Sequence, residues 1–376
     1  MFKKVLIGGL PSSGSTLLSF LLDSHSSISC GPEFGLFCHP FFWEEKNKDK
    51  WQNTLITKIA QEWGLSRTKN KYDLSKGFIN HNSTIDAHPN DLKWYEISLD
   101  EIVNLIKKSK DGKEFFDKFY NYITNKKGKL IFCEKTPPNI YSIKYFLNQV
   151  SDSRAFVCVR NPIDTISSLV KRDLKFSTAL SIWLVEANII SNLIDNPMIK
   201  LVKYESLVVN PVEQINEIFS ILGVSLEGSE IVGKNNKNKS LSKRSTNNRE
   251  YINTWNNKPF EKINSKNILI GLKSLKKNEI ISLRCIKLKR KSKINSTEKS
   301  FIDIMNCFDY SPEKYLPIQY DLNIREIFYF LIFILKLKLY FDFRILKSFH
   351  KSSIRVSSKL IFINLIFYIK NLFKRI

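Results

Sequence analysis

"GGLPSSGST", residues 8–16, decides the fold. From Gly9 onward it follows the outline of a phosphate-binding loop: glycine, four residues, glycine, lysine, then a hydroxyl residue. Here Ser15 stands in the lysine position ahead of Thr16. A glycine-rich turn that feeds a helix N-terminus aims several backbone N–H groups and a partial positive charge at one spot, which suits phosphate. The bland use of the same turn is steric, a tight joint between strand and helix. Residues 3–10 read as a buried strand, and Leu17, Leu18, Leu21 and Leu22 share one helical face behind the loop. The order is therefore strand, loop, helix.

The rhythm repeats further along. "KLIFCEK" (129–135) and "RAFVCVR" (154–160) are short apolar runs separated by the helix-like "IYSIKYFLNQV". A fourth run, "IKLVKYESL" (199–207), follows a helix expected over 176–195. "PVEQINEIFSILGV" then supplies another helix, with Pro211 near its start and Gly223 near its stop. The expected fold is α/β: a three-layer, P-loop-like arrangement of a central parallel sheet flanked by helices. Residues 45–125 are polar and lysine-rich with no strand signal, and read as a helical insertion. Residues 234–246 read as a loop, and residues 257–376 as a basic, mostly helical C-terminal extension beyond a first domain of residues 1–256.

Composition narrows the function. The six cysteines contain no C-x-x-C pair and the five histidines no H-E-x-x-H spacing, so no metal site and no disulfide framework is expected. The first apolar run flows straight into the glycine loop and is too short for a signal-peptide core, from which a cytoplasmic location is expected. The net charge of +23 is unevenly placed. Residues 1–233 hold 28 Lys+Arg against 26 Asp+Glu, whereas residues 234–376 hold 31 against 10.

A second anion site is suggested by "RNPIDTISSLVKR". Arg160 ends a strand, Pro162 suits a helix start, and Ser168 falls about two turns in. Arg172, a further turn on, would reinforce it through a guanidinium fork. The structural alternative pairs Arg160 with Asp164 or Asp173. Two anion sites on neighbouring strand-to-helix turns suit a nucleotide with separate 5′ and 3′ phosphates. A nucleoside-triphosphate enzyme would instead want the missing lysine and a strand-terminal acid for Mg²⁺, for which Glu134 is the candidate.

The stretches "GLPSSGSTLLSFLLDSH", "CGPE", "EKTPP", "RNPIDTISSLVKR", "VKYESLVVNP" and "SLSKRST", in that order over about residues 3–256, resemble the sulfotransferase superfamily. More narrowly they resemble its branch containing tyrosylprotein sulfotransferases. The resemblance implies 3′-phosphoadenosine 5′-phosphosulfate as cosubstrate, with no metal. Its 5′ end would be held by the loop (Ser12, Ser13, Gly14, Ser15, Thr16) and its 3′-phosphate by Arg160 and Ser168. Arg172 and Tyr204 would also touch the nucleotide, and Ser240, Lys243, Arg244, Ser245 and Thr246 would lie on the segment covering it. Glu33 matches the catalytic base, while Lys135 and Ser240 match groups that meet charge on the bridging oxygen. A base is needed because a phenol has a pKa near ~10 and an alcohol is weaker still. Sulfuryl carries less negative charge than phosphoryl, so positioned donors can serve its transition state.

The chain departs from the family at two places. Ser12 stands where the family usually has Arg or Lys, which implies weaker cosubstrate binding, and Gly35 stands where the tyrosylprotein branch has an arginine. The acceptor class therefore stays open among a glycan, a lipid and a peptide hydroxyl, or an amine. The other readings are a degenerate kinase or NTPase, and a non-catalytic module that binds nucleotide or membrane.

Residues 325–376 hold 11 Lys+Arg against two acids, interleaved with aromatic and aliphatic residues. Their longest uncharged apolar run, residues 327–335, is about half of the ~20 residues a spanning helix needs. Peripheral contact with an anionic membrane, at its inner face, is one expectation; a helical cap on the core is the other. Nucleic acid is a third reading, and no RNA- or DNA-binding signature accompanies the charge.

Overall fold

The computed structural model describes residues 2–59, 94–233, 268–290, 297–316, 324–343 and 352–373. Its centre is a parallel sheet of five strands, β1 (Lys4–Gly9), β2 (Ile28–Cys30), β3 (Ile131–Lys135), β4 (Ser153–Val159) and β5 (Ile199–Lys203), in the order β2-β3-β1-β4-β5. The three runs around β1 are almost wholly apolar because strands covered on both faces have no solvent side to serve.

Alternate residues of each strand face opposite layers. Val5, Ile7, Cys133, Phe156 and Cys158 pack with helix α1 (Ser15–Asp23) on one face. Leu6, Phe132, Ala155, Val157 and Val159 pack on the other with the remaining helices. After β2 come α2 (Pro40–Glu44) and, from the insertion, α3 (Lys48–Ile59), α4 (Leu99–Lys107) and α5 (Gly112–Lys127). Phe34, Phe37, Phe42, Phe115, Phe116 and Phe119 form an aromatic cluster here, with Phe37 and Phe116 centroids 4.8 Å apart. Next come α6 (Ile143–Gln149), α7 (Pro162–Val170) and α8 (Phe176–Ser191). The apolar face of α1 then meets α9 (Tyr204–Val209), α10 (Pro211–Leu222) and α11 (Gly228–Gly233) through Leu207, Ile218 and Ile231.

Three details differ from the sequence reading. The run 199–207 is not one strand: it leaves the sheet after Lys203 and turns helical at Tyr204. The three-residue β2 is too short to show alternation, and it pairs with β3 from Ile28 to Cys30. In the C-terminal extension, helices α12 (Gly271–Ser274), α13 (Lys277–Leu283), α14 (Phe301–Asn306), α15 (Pro312–Tyr315), α16 (Ile324–Phe343) and α17 (Ser358–Phe373) surround a small antiparallel sheet. Its strands β6 (Ile286–Arg290), β7 (Thr297–Ser300) and β8 (Ser352–Val356) run in the order β7-β6-β8. Lysine-rich strands such as "IKLKR" and "TEKS" hide their period among charges.

The extension is packed on the main sheet body through α8. Phe301 packs at a tilt on Trp183 with centroids 4.7 Å apart, and Phe333 meets Phe176 at 6.0 Å. A polar joint completes the contact. The buried Asp164 carboxylate accepts hydrogen bonds from the backbone N–H of Leu269 (2.9 Å) and Gly271 (2.7 Å) and from Asn161 Nδ2 (2.8 Å), while Arg160 Nη2 pairs with it at 3.4 Å. Replacing it strands the two backbone donors and removes a partner from Asn161 and Arg160. Asp164→Ala is therefore expected to destabilise the protein by about 3–5 kcal/mol in denaturant unfolding.

Candidate active site

The carboxyl ends of β1, β2, β3 and β4 share one edge of the sheet, and the candidate residues emerge there. Between β1 and α1 the chain turns tightly: Leu10 N–H donates to Cys158 O (2.9 Å), and Ser13 Oγ donates to Leu10 O (2.6 Å). Ser13 thus braces the loop from within. Gly14 has φ +88°, and a Cβ there would meet Tyr204 Cδ2 at 2.6 Å. Its glycine is required twice, by the left-handed backbone and by the ring lying against it. Helix α1 begins at Ser15 with no side-chain cap and no acid in its first turn. That leaves a helix N-terminus whose dipole no local side chain opposes.

Ser12 joins the glycine loop to the residues expected to form the second anion site. Its backbone is left-handed (φ +60°), which turns the side chain away from α1 and toward α7. Its hydroxyl accepts from Arg172 Nη2 (2.7 Å) and Ser168 Oγ (3.0 Å), and its carbonyl accepts from Arg160 Nη1 (3.3 Å). The Arg160 guanidinium also lies over the Tyr204 ring, 4.4 Å from its centroid. Arg172 sits just past the end of α7 rather than on a further helical turn, and still reaches Ser12. The ion pair of Arg160 with Asp164, weighed as an alternative to anion binding, is present as well. The pair engages Nη2, while Nη1 is the nitrogen that donates to Ser12 O.

On the other side of the loop, Lys135 ends β3 and is buried. Its Nζ pairs with Glu33 Oε1 at 2.8 Å and lies 3.4 Å from Thr16 Oγ1. It does not pair with its neighbour Glu134. Strand alternation sends Glu134 the opposite way, into the core. There Oε1 accepts from Phe34 N–H (3.0 Å) and Thr136 Oγ1 (2.6 Å), and Oε2 from Asn139 Nδ2 (2.6 Å). Burial pushes this carboxyl above its usual range, and those donors oppose the shift. Glu134 holds the Glu33 loop in place, and its oxygens are occupied with that task rather than turned to a metal. Gly35 (φ +75°) completes the turn, donating its N–H to Thr136 Oγ1 at 3.1 Å.

The structure thus brings Ser12, Ser13, Gly14, Ser15, Thr16, Arg160, Ser168, Arg172 and Tyr204 together around one loop, with Glu33 and Lys135 beside it. Ser240, Lys243, Arg244, Ser245 and Thr246 lie outside the described residues. Sequence reading missed the supports: Glu134, Thr136 and Asn139 under Glu33, and Glu205, whose Oε1 accepts from Asn161 N–H (2.9 Å) behind Arg160. Glu134 and Thr136 stand in the quoted "EKTPP" and Glu205 in "VKYESL", so the signal was there without the direction of the side chains.

A model of the Sulfotransferase family matches residues 4–228. The chain belongs to that family. No curated protein matches it. Among solved structures, the sulfotransferase domain of the olefin synthase of Synechococcus PCC 7002 is 16% identical, over 82% of this chain and 94% of its own, with a TM-score of 0.46. The sulfotransferase domain of the curacin biosynthetic pathway is 14% identical, over 83% of this chain and 99% of its own, with a TM-score of 0.47. A sulfotransferase from Mycobacterium avium is 15% identical, over 61% and 66%, with a TM-score of 0.33.

Behind the Glu33 loop this sulfotransferase buries one more carboxyl. Glu186 of α8 accepts a hydrogen bond from Tyr141 Oη (3.2 Å), and burial raises its pKa to about 8 from 4.5. The folded state therefore holds this proton up to about pH 8, while the unfolded chain releases it near pH 4.5. Stability from this group is fully present below that lower value and is lost as pH rises through the upper one. Glu186→Gln keeps a neutral side chain at every pH. The variant is expected to match the parent in Tm at pH ~4 and to exceed it at pH ~8.5, measured by calorimetry.

Proposed function

We propose that this sulfotransferase moves a sulfuryl group from 3′-phosphoadenosine 5′-phosphosulfate to a hydroxyl, or an amine, of a glycan, lipid or peptide acceptor. The observation that carries the reading is the meeting of Arg160, Ser168 and Arg172 on Ser12 of the glycine loop. A nucleotide with phosphates at both ends of its ribose needs two anion sites a ribose apart. A strand-to-helix loop on one side and a two-arginine cluster on the neighbouring turn offer that pair. A nucleoside triphosphate has no use for the second.

In the proposed reaction, Glu33 takes the proton of the acceptor O–H as the acceptor oxygen bonds to sulfur. The bond from sulfur to the bridging oxygen breaks, and its electron pair leaves with adenosine 3′,5′-bisphosphate. Lys135, between Glu33 and Thr16, meets the charge on the departing phosphate. Ser240 and the stretch Lys243–Thr246 keep the nucleotide-covering role that the family resemblance implies.

Two measurements test this. Adenosine 3′,5′-bisphosphate is expected to raise Tm, and Arg160→Ala to abolish that rise. Glu33→Ala should keep the rise while lowering transfer of labelled sulfate to an aryl-alcohol acceptor by about 10²–10⁴-fold. Stabilisation by ATP with Mg²⁺ alone, or equal loss of nucleotide binding in both variants, would overturn the assignment.

The family's usual cation at position 12 gives a second test. An arginine there would stand beside Arg160 and Arg172 with no anion between them, a like-charge cluster that costs stability until phosphate enters. Ser12→Arg is expected to lower the Tm of the ligand-free protein and to enlarge the shift given by the bisphosphate. An unchanged shift would show that position 12 does not govern cosubstrate affinity.

A further inference from the structure

Helix α16 presents two apolar stripes. Phe330 (1% exposed), Ile334 (3%) and Leu337 (4%) pack on the core, which is the capping role expected of a C-terminal helix. Ile324 (75% exposed), Phe328 (60%), Leu331 (37%) and Leu335 (58%) recur at the same helical spacing on a second line. At 100° per residue that line is rotated by roughly 120° from the first, so no adjustment of the packed face would bury it. Helix α17 repeats the pattern with Phe362 and Ile363 exposed one turn before Ile366. Single exposed apolar residues are ordinary; two helices that each expose a continuous line are not.

The charges around the lines say what covers them. On α16 the exposed line is flanked by Lys338 on one side and by Arg325 and Lys336 on the other, all exposed. Arg325 extends along Tyr329, its guanidinium 5.6 Å from the ring centroid. Lys359 stands at the start of the α17 line. Cations bordering an apolar stripe, with aromatic residues in it, are what a helix lying in a lipid headgroup layer requires: rings and aliphatic chains enter the acyl boundary, and long basic side chains reach back to phosphate. A second copy of the chain is a poor occupant. A two-fold contact would set these cations against themselves in a chain of net charge +23. Among the described residues no helix is long and apolar enough to cross a membrane, so the mode is surface contact.

We infer that α16 and α17 dock this protein on an anionic lipid surface through Ile324, Phe328, Leu331 and Leu335 and the cations beside them. The test is flotation of the full chain with vesicles of phosphatidylcholine containing 30% phosphatidylglycerol (about a third anionic lipid, a composition that gives a strong surface potential), against vesicles of phosphatidylcholine alone. Binding is expected to the anionic vesicles, and to weaken as salt is raised. Phe328→Asp with Leu335→Asp should abolish it. Lys336→Ala with Lys338→Ala should weaken it by about fivefold for each cation removed. All four side chains are exposed, so the variants are expected to keep the parental Tm and the response to adenosine 3′,5′-bisphosphate. Equal binding to neutral vesicles, binding that survives Phe328→Asp with Leu335→Asp, or no vesicle binding would overturn the inference. A concentration-dependent dimer that those aspartates dissolve, without vesicle binding, would assign the surface to a second copy instead.

Discussion

A carboxylate removed from water must be given donors, and Glu134 shows how much structure that demand organises. Two backbone N–H groups of the Glu33 loop, a threonine hydroxyl and an asparagine amide converge on it. Asn139 spends its other amide hydrogen on Ile7 O at 3.1 Å, so the same knot ties β1, β3 and the loop after β2. Each donor would be stranded without the acid, and the acid would be costly without them. Phe34 and Phe37 anchor the Glu33 loop in the aromatic cluster and Tyr95 Oη donates to Pro32 O, while Gly35 between the two phenylalanines is left-handed. The position of Glu33 against Lys135 is therefore set in part by a residue, Glu134, that faces away from both.

Parallel strands impose the second constraint. With β1 flanked by β3 on one side and β4 on the other, the connections leaving β1, β3 and β4 open onto the same edge, and the chain order changes direction across β1. Ligands of open α/β sheets are bound at such switch points because the neighbouring connections diverge there and leave a crevice. Register fixes the rest. Ile7 stands opposite Lys135 on one side and Phe156 on the other, which sets Lys135 beside the start of the loop and Arg160 four residues past Phe156 on its far side. The cation from β3 and the cation from β4 are thus delivered to opposite flanks of one glycine turn.

Much of this was legible in the sequence, for identifiable reasons. Strands buried on both faces have no alternation to blur, so "LIFC" and "AFVCV" announced themselves, and a glycine loop carries its geometry in its letters. Helix ends marked by Pro211 and Gly223 were placed correctly, Gly223 being the left-handed cap of α10. What the letters could not carry was direction. Glu134 and Lys135 are adjacent and opposite in charge, and only the pleat shows that they face opposite sides. The strand reading of "KYESL" failed because a helix start inside an alternating run has no apolar period of its own. Ser12 looked like a loss of charge from the loop; only the three-dimensional arrangement shows the loop's hydroxyl already engaged with the arginine of the next turn.

The C-terminal extension enters the same argument from outside the family match. Arg160 is aimed by what stands behind it, and two acids stand there. Asp164 is held by the backbone of Leu269 and Gly271, and Glu205 by Asn161 and by Tyr310 Oη at 2.8 Å. Leu269, Gly271 and Tyr310 all belong to the extension. Burial and the neighbouring Glu205 carboxylate push the Tyr310 phenol well above its ordinary pKa, so it stays a donor through the physiological range. An arginine proposed to hold phosphate has to be kept extended without being neutralised by its own scaffold. Satisfying the acids with fixed N–H and O–H donors lowers their claim on the guanidinium. The residues after 228 thus do more than cover α8: they supply donors that let Asp164 and Glu205 brace Arg160 without capturing it.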